Sequence, residues 1–323
     1  MTPSSAVVRR VLVLFNVHSG MRFNAAGLIQ TLSDNWDVEG VDLYYQESKS
    51  PEDGKRKARQ AVADGVDTLI AVGGDGMVNT IGAELIGSDV ALAVLPAGSG
   101  NGFARHFGIP LRPLQAARVL RHGSRQKIDV GFADDRPFFV TASLAWDADL
   151  VRGLEKLPMR GIFPYVFAGI YHFFTYEPQD FYLELDGQDL VIEKPLLLTV
   201  ANLTQFGGGA IIAPDARPDD GRLSLVAVPR MDPIEAMTGI RHLFTGTIHS
   251  LPEIRTWKFE RLVVKRKRPD PIQVDGELVH SNHELIIEVR HSALDVIVPA
   301  ASLQERSRWS IEDSTETETL SEE

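Results

Sequence analysis

The sequence predicts an α/β fold in its first part and an antiparallel, all-β fold in its second part. Up to about residue 128, apolar runs of strand length alternate with segments of helical periodicity. This rhythm is typical of a mostly parallel sheet with helices on both faces. Beyond Lys127, short apolar runs are separated by turn signals such as Asp186-Gly187, which is the pattern of an antiparallel sandwich. With 323 residues, the chain is longer than one average domain, so two domains are expected.

The first domain is predicted to span residues 1–128 and to form three layers, helix on sheet on helix. Runs rich in β-branched residues predict strands, and apolar residues at helical spacing predict helices. The predicted strands are Val11–Asn16, Val41–Tyr45, Thr68–Val72 and Ala91–Leu95. The predicted helices are Ala25–Leu32, Pro51–Asp64, a segment that runs to Gly87, and Pro113–Arg121. Residues near 300–309 are candidates to complete this domain.

The second domain is predicted to span residues 129–299 and to be a β-sandwich. Its predicted strands are Phe138–Ser143, Phe181–Leu185, Leu190–Leu203, Leu223–Val228, Lys258–Lys265, Ile272–Val274, Leu285–Val289 and Leu294–Val298. One helix is expected to begin at Asp232-Pro233, because proline suits a first helical turn. Its apolar residues are expected on one face: Ile234, Met237, Ile240, Leu243 and Phe244. Residues 310–323 are acidic and rich in Ser and Thr, so they are expected to form a disordered tail.

Composition excludes several classes of function. The formal net charge of -11 argues against a nucleic-acid binder. The chain contains no cysteine, which excludes disulfides, thiolate metal sites and a cysteine nucleophile and suits a cytoplasmic protein. The apolar stretch Ile162–Phe174 is interrupted by Pro164 and His172 and is shorter than the roughly 18 residues of a membrane-spanning helix. Any membrane contact is therefore expected to be peripheral, at the inner face of the membrane.

Gly73-Gly74-Asp75-Gly76 lies between a predicted strand and a predicted helix. Glycines let the backbone approach a bulky anion closely, because no Cβ intrudes and positive φ angles cost little. The N–H groups at the start of the following helix would face that anion. A strand, a glycine turn and a helix form the usual nucleotide site of an α/β sheet. The same tetrapeptide also fits a tight turn in which Asp75 is an ordinary N-cap.

Three further segments carry polar or glycine residues in suggestive places. Asn16–Gly20 follows the first predicted strand, and Gly98–Gly102 follows the strand that ends at Leu95. Loops at the carboxyl ends of neighbouring parallel strands converge, so both can join Gly73–Gly76 around one ligand. Far downstream lies Asp275-Gly276-Glu277. Taken alone, Asp-Gly also fits a simple hairpin turn.

As an ordered set, these segments resemble the diacylglycerol kinase catalytic domain family, which includes bacterial lipid kinases, sphingosine kinases and ceramide kinases. The resemblance covers nearly the whole chain before the tail. The segments that carry it are Asn16–Gly20, Gly73–Gly76 with Asn79, Gly98–Asn101 with Phe103-Ala104-Arg105, Trp146-Asp147-Ala148, Gly207–Pro214, Asp220-Gly221 and Asp275-Gly276-Glu277. The resemblance implies a lipid kinase of phospholipid metabolism that uses ATP and Mg²⁺. It also implies that the nucleotide binds in a cleft between an α/β domain and a β-sandwich domain.

The resemblance implies a role for each motif residue. The nucleotide-binding set is Asn16, Ser19, Gly20, Gly73, Gly74, Asp75, Gly76, Asn79, Gly98, Ser99, Gly100 and Asn101. Asp75 would orient a phosphate through Mg²⁺, which prefers oxygen ligands, and Ser99 and Asn79 would hydrogen-bond phosphate oxygens. Asp275 or Glu277 would be the general base toward the lipid hydroxyl. No Walker lysine motif is present, so backbone amides and Mg²⁺ are expected to neutralise more of the phosphate charge.

A second, structural Mg²⁺ site is implied at Asp220 and the backbone carbonyl of Arg222. An earlier ligand position of the family falls near Arg217, which is a poor cation ligand. A solvated turn fits the segment Asp219–Arg222 equally well.

Two positions in the glycine motif depart from the family pattern. Met77 stands where threonine is usual, and Thr80 stands where glutamate is usual. Both changes remove polar groups expected near the phosphates, which predicts a slow or specialised kinase.

The lipid contacts have two candidate segments. The aromatic segment Leu157–Tyr176 could line an acyl groove or belong to the core. Lys265–Arg268 could meet anionic headgroups or be a solvated strand end. The sequence leaves open a kinase similar to the NAD kinases and a non-catalytic ATP-binding module, and it does not choose among lipid acceptors.

Overall fold

The computed structural model of the protein describes residues 9–16, 25–145 and 178–300. Its first part alternates strands and helices as predicted, with one further short helix at Gly102–His106 that was not predicted. The elements are β1 Arg9–Phe15, α1 Ala25–Trp36, β2 Val41–Glu47, α2 Pro51–Ala63, β3 Thr68–Gly73, α3 Asp75–Leu85, β4 Ala91–Pro96, α4 Gly102–His106 and α5 Pro113–Leu120. The four strands are parallel, in the order β2-β1-β3-β4.

Local chemistry explains where these elements lie. At the start of α2, the Ser50 hydroxyl accepts a hydrogen bond from the N–H of Asp53, and Pro51 occupies the first helical turn, a favourable N-terminus. Every residue of β4 is buried, as expected for a central parallel strand that helices cover on both faces. The indole N–H of Trp36 donates to the Ala117 carbonyl at 2.8 Å and fixes α1 against α5.

The second part is built mainly from antiparallel strands. The elements are β5 Ser124–Ala133, β6 Arg136–Phe138, β7 Thr141–Ser143, β8 Phe181–Leu185, β9 Gln188–Ile192, β10 Leu197–Ala201, β11 Gln205–Gly207, β12 Ala210–Ile211, β13 Leu223–Val228, α6 Pro233–Thr245, β14 Arg255–Phe259, β15 Arg261–Arg266, β16 Ile272–Val274, β17 Glu277–Val279 and β18 Glu284–Val298. One antiparallel sheet has the order β14-β13-β10-β7-β16-β17. The predicted combination of an α/β part and an antiparallel part is confirmed.

The long strand β18 joins the parallel and antiparallel regions of the other large sheet. Near its end, Val296 pairs in parallel with Leu92 of β4. Its first half pairs antiparallel with β15, and β5 runs antiparallel along most of its length. The two strands predicted at Leu285–Val289 and Leu294–Val298 are therefore one strand. It is interrupted only by an irregularity between Arg290 and Leu294.

Three other predicted strands are each divided in two. Leu190–Leu203 breaks between β9 and β10, where Lys194 has a φ of 42°. Lys258–Lys265 breaks at Glu260, because the N–H groups of Glu260 and Arg261 turn to donate to the Asp186 carboxylate. Phe138–Ser143 breaks after Phe138. At Asp186-Gly187, by contrast, the predicted hairpin turn is confirmed, with φ angles of 45° and 83°.

The apolar face predicted for α6 is only partly buried. Leu243 packs against a small core cluster that includes Ile248. Ile240 and Phe244 are instead 51% and 59% exposed. The side chains of Ile234 and Met237 lie outside the described ones.

Several predicted features fall outside the described residues. They are Ser19 and Gly20, Trp146-Asp147-Ala148, the aromatic segment Leu157–Tyr176 and the tail at residues 310–323. Among the helices that are described, none combines the length and the apolar character needed to cross a bilayer.

Candidate active site

The carboxyl ends of three parallel strands meet at one edge of the sheet. Phe15 at the end of β1 pairs with Val72 of β3, and Gly73 pairs with Pro96 at the end of β4. Asn16 and the loops that begin at Gly73 and Ala97 therefore leave the sheet at the same level. The structure thus brings Asn16 and the two glycine loops to one edge, whereas residues 17–20 of the first predicted segment lie outside the described ones.

The two glycine loops pack backbone against backbone. A Cβ built on Gly98 would lie 2.5 Å from the Cα of Gly74, and one built on Gly74 would lie 2.9 Å from the Cα of Gly98. Asn101 closes its own loop, because its side chain accepts from the N–H of Gly98 at 3.0 Å and donates to the Gly98 carbonyl at 2.8 Å. Only glycine at both positions permits this close approach.

Asp75 braces the two loops. Its carboxylate accepts hydrogen bonds from the N–H groups of Gly102 and Phe103, at 2.9 and 3.0 Å, and so caps α4. It is not the N-cap of its own helix, because Gly74 occupies that position. Each carboxylate oxygen has a second lone pair, so Asp75 can still accept a further hydrogen bond or hold a cation through water.

Backbone N–H groups are available at this edge. Within the described residues, no hydrogen bond uses the N–H groups of Asp75 and Gly76 at the start of α3, or those of Ser99 and Gly100 in the neighbouring loop. Ser99 is exposed. Amides at a helix N-terminus and in a glycine loop attract phosphate oxygens. The two loops together form the phosphate cradle, defined here as Gly73–Gly76 and Gly98–Asn101.

Asp275 is a buried anchor. It forms a hairpin turn with Gly276 between β16 and β17, with φ angles of 45° and 90°, so the hairpin interpretation is correct. Its carboxylate accepts from the N–H groups of Phe139, Val140 and Thr141 at 2.8, 2.8 and 3.0 Å. Desolvation raises its pKa to about 6, against the opposing effect of these hydrogen bonds.

Asn79 connects the hairpin to α3. Its side-chain amide donates to Asp275 Oδ2 at 2.9 Å and to the Pro137 carbonyl at 2.9 Å. Both amide hydrogens are therefore engaged, which differs from the phosphate contact expected from the sequence. Glu277, two residues after Asp275, is exposed, and its Oε1 would lie 3.6 Å from a Cβ built on Gly76. It faces the start of α3, beside the phosphate cradle.

A third loop, the glycine hairpin Gly207-Gly208-Gly209, flanks the cradle from the second part of the chain. All three glycines have positive φ angles, and the N of Gly208 would lie 3.9 Å from a Cβ built on Gly100. Arg105 lies between the two loops, because its Nε donates to the Gly100 carbonyl at 3.0 Å and its Nη1 would lie 3.5 Å from a Cβ built on Gly209.

Sequence reasoning did not assign Arg105 or the glycine hairpin to the site. The signals available were the arginine that ends Phe103-Ala104-Arg105 and the run of three glycines.

The two departures in the glycine motif lie in different surroundings. Met77 packs over the end of β3, because a Cβ built on Gly73 would lie only 2.6 Å from the Cβ of Met77. The methyl group of Thr80 faces Gly54 of α2, at 3.6 Å from a Cβ built there. A glutamate at position 80 would therefore begin on the side of α3 that faces α2, whereas Met77 lies next to the cradle.

The segment predicted to hold a structural metal has another arrangement. Asp220 forms an ion pair with Lys258, with 2.8 Å between Oδ2 and Nζ, and accepts from the N–H of Arg222 at 3.1 Å. The buried Asp129 anchors the same turn, because it accepts from the N–H of Gly221 at 2.7 Å. Among the described residues, no three His, Asp or Glu side chains are grouped to bind a metal. In this arrangement Lys258 occupies one oxygen of Asp220, and the metal site at Asp220 and the Arg222 carbonyl stays a prediction.

The basic run Lys265–Arg268 is not one continuous surface. Arg266 is buried and donates to the Asn282 carbonyl at 3.3 Å. Arg268 lies 3.4 Å from Asp270, and Lys265 lies 4.0 Å from Glu284. Lys265 and Arg266 therefore point to opposite sides of β15, which ends at Arg266, and Lys265 and Arg268 face carboxylates.

Comparison with known families matches both parts of the chain. Residues 10–133 match the diacylglycerol kinase catalytic domain, and residues 142–298 match the YegS C-terminal NAD kinase beta sandwich-like domain. The diacylglycerol kinase of Mycobacterium tuberculosis is 28% identical over 233 residues, which are 70% of this chain and 75% of the relative. The "Probable lipid kinase YegS-like" of Chromohalobacter salexigens is 33% identical over 239 residues, which are 70% of this chain and 74% of the relative.

Solved structures share the fold. A crystal structure of a diacylglycerol kinase from Bacillus anthracis aligns with a TM-score of 0.74 at 22% identity and covers 91% of this chain and 98% of that one. An NAD kinase from Archaeoglobus fulgidus, solved in complex with ATP, aligns with a TM-score of 0.50 at 13% identity over 92% of this chain and 96% of its own. At these identities the comparison establishes the fold alone.

Proposed function

The chain belongs to the diacylglycerol kinase catalytic domain family, and on that premise we propose that it is an ATP-dependent lipid kinase. It transfers the γ-phosphate of ATP to a lipid hydroxyl, of diacylglycerol or of a sphingoid-type acceptor. The single observation that carries this proposal is the phosphate cradle, in which two glycine loops meet and present N–H groups without a partner among the described residues.

The cradle fits the phosphate groups of a nucleotide on three counts. Gly74 and Gly98 have no Cβ, and a Cβ at either position would collide with the opposite loop. The bare backbone of the two loops can therefore approach a large anion. The N–H groups of Asp75 and Gly76 begin α3, where the helix dipole favours negative charge. The guanidinium of Arg105 adds a fixed positive charge at the edge of the Gly98–Asn101 loop, as charge neutralisation in phosphoryl transfer requires.

The residues also fit Mg²⁺ that arrives with the nucleotide. Mg²⁺ in kinases is usually held by one or two carboxylates and by the substrate phosphates, and the Asp75 carboxylate lies in the cradle with lone pairs left to hold a cation through water. Bound there, the ion would neutralise charge on the phosphate oxygens.

Glu277 is the better candidate for the general base. A base must reach the hydroxyl that it deprotonates, and Glu277 is exposed beside Gly76. Asp275 is buried and is surrounded by four N–H donors. In the proposed step, the hydroxyl proton passes to Glu277 while the lipid oxygen bonds to the γ-phosphorus. The bond from that phosphorus to the bridging oxygen breaks, and ADP leaves.

Asp275 and Asn79 position the base. Their 2.9 Å hydrogen bond connects the β16–β17 hairpin to α3, and Glu277 follows Asp275 on that hairpin. The distance between the base and the cradle is therefore controlled by groups that do not touch substrate.

A phosphate-transfer screen tests the proposal. Labelled ATP is offered with diacylglycerol, sphingoid bases, ceramide, phosphatidylglycerol or NAD, and label is expected in a lipid product. The Glu277→Gln variant should bind Mg-ATP normally in a calorimetric titration and transfer little phosphate.

The two alternatives predict other outcomes of the screen. Label in NAD would indicate a kinase similar to the NAD kinases. Mg-ATP binding without transfer to any acceptor would indicate a regulatory ATP-binding module. Absence of Mg-ATP binding would refute all three.

A further inference from the structure

The two most exposed large apolar side chains of the described residues lie on one face of α6. Ile240 is 51% exposed and Phe244 is 59% exposed, whereas the other large apolar residues on the surface reach at most 48%. Four positions apart on a helix, the two side chains are neighbours. Leu243, directly before Phe244, packs against the core. The helix therefore packs into the core through Leu243 and leaves more than half of the Ile240 and Phe244 side-chain surface exposed.

The stretch of sequence around this pair lacks carboxylates. The chain contains 44 Asp and Glu residues among 323, yet none occurs between Glu235 and Glu253. The same stretch carries Arg241, which is exposed on α6. Anionic headgroups attract arginine and repel carboxylates. In a strongly acidic chain, this local composition is complementary to a membrane surface.

Helix α6 is also connected to the candidate active site. Gly246, directly after the helix, packs against Ile211 of β12, whose Cδ1 would lie 3.3 Å from a Cβ built on Gly246. β11 and β12 are the strands of the glycine hairpin, and the tip of that hairpin adjoins Gly100 and Arg105 of the active-site loop. One short hairpin therefore separates the apolar pair from the phosphate cradle.

We propose that Ile240 and Phe244 form a membrane-docking surface and that their partner is a lipid bilayer. The inference rests on the proposed function, because an acceptor with acyl chains stays in the bilayer and the active site must reach it there. A helix with Phe and Ile on its outer face and Arg beside them suits the boundary between headgroups and acyl chains. The helix that carries this surface ends beside β12 of the hairpin that flanks the site.

Vesicle flotation tests the surface without requiring turnover. The full chain is floated with vesicles of phosphatidylcholine and phosphatidylglycerol, and Ile240→Ser/Phe244→Ser should reduce binding at least about tenfold, as expected for the loss of buried apolar area. Tyr182→Ser/Val191→Ser is the matched control, since these residues form an exposed cross-strand pair, 44% and 48% exposed, on β8 and β9. Unchanged binding of the first variant, or equal loss in the control, would overturn the proposal.

The absence of cysteine permits a site-specific label. Phe244→Cys carrying an environment-sensitive fluorophore should shift its emission to the blue on addition of vesicles, whereas a label at Tyr182→Cys should not. A shift that instead follows protein concentration without vesicles would mean that a second copy of the chain covers the surface. That result would overturn bilayer docking.

Docking and chemistry can be separated with a short-chain acceptor dispersed as monomers. The Ile240→Ser/Phe244→Ser variant should keep wild-type kcat on that acceptor and lose turnover on vesicles. If the Ile240→Ser/Phe244→Ser variant transfers phosphate on vesicles as fast as wild type, docking is refuted and the proposed kinase activity stands. Vesicle binding through the pair without transfer to any lipid would refute the proposed function and leave docking intact.

Discussion

Replacing Gly98 with alanine should force the two glycine loops of the phosphate cradle apart. The new Cβ would lie 2.5 Å from the Cα of Gly74 and 3.0 Å from the Oδ1 of Asn101. Non-bonded carbon atoms prefer a separation of about 3.5 Å, so the loops would have to move by about 1 Å. No flexible side chain can absorb this shift, because the nearest atom belongs to backbone and Asn101 closes the same loop.

The expected losses differ for stability and for activity. Overpacking of this kind costs about 1–3 kcal/mol in the free energy of unfolding, which urea denaturation measures. A misplacement of about 1 Å in a catalytic site lowers turnover by about 100-fold. Calorimetric titration with Mg-ATP and transfer of labelled phosphate measure the effect on the site itself.

Gly239→Ala is the matched control. Gly239 lies within α6, and no heavy atom would come within 4 Å of its Cβ. Alanine is favoured over glycine in a helix by up to about 1 kcal/mol, so we expect unchanged Mg-ATP affinity and equal or higher stability. Wild-type nucleotide affinity and turnover in Gly98→Ala would refute the close packing of the loops and the cradle built on it.

Three further predictions concern the carboxylates. Glu277→Gln should leave urea denaturation and Mg-ATP affinity unchanged and lower phosphate transfer by at least about 100-fold; near-normal transfer would exclude Glu277 as the base. Asp275→Asn should lower the free energy of unfolding by about 2–4 kcal/mol at neutral pH, because a donor replaces an acceptor among buried N–H groups. The pKa of Asp275 is about 6 in the folded chain, above its unfolded value of about 3.9. The stability that this shift contributes is therefore full below the unfolded pKa and is lost as the pH rises through about 6. Urea denaturation should consequently show a larger effect of Asp275→Asn at pH 5 than at pH 7. EDTA should leave the thermal midpoint unchanged, because Lys258 pairs with Asp220 at the predicted metal turn; a lower midpoint would reveal a bound cation.

The first part of the fold was predictable because its local signals are strong. Buried parallel strands such as β3 and β4 read as continuous apolar runs, and each helix has its own periodicity or cap. β5 was missed, because its first residues are Ser124, Arg125, Gln126 and Lys127, which carry no apolar signal. Their strand conformation is stabilised by pairing with β18, more than 150 residues later.

The loops of the site were predictable from glycine, but the partners of its carboxylates were not. The need for bare backbone at Gly74 and Gly98 is a local property that the sequence displays. The hydrogen bond from the N–H of Phe139 to Asp275 spans 136 positions, and that from Asn79 to Asp275 spans 196. Residue type and spacing do not encode such distant contacts, so the sequence could not distinguish a base from an anchor.

These contacts explain the different roles proposed for Asp75, Asp275 and Glu277. Asp75 accepts two backbone N–H groups and Asp275 accepts three, together with the Asn79 amide. A carboxylate with this many hydrogen bonds fixes the backbone around it and cannot reorient toward a substrate hydroxyl to accept its proton. Glu277 is exposed, yet it belongs to the hairpin that Asp275 anchors to α3. Its side chain is thus free to take a proton while its backbone keeps a constant position relative to the cradle. In the proposed mechanism, Asp75 and Asp275 therefore supply the rigidity that lets Glu277 act at one place.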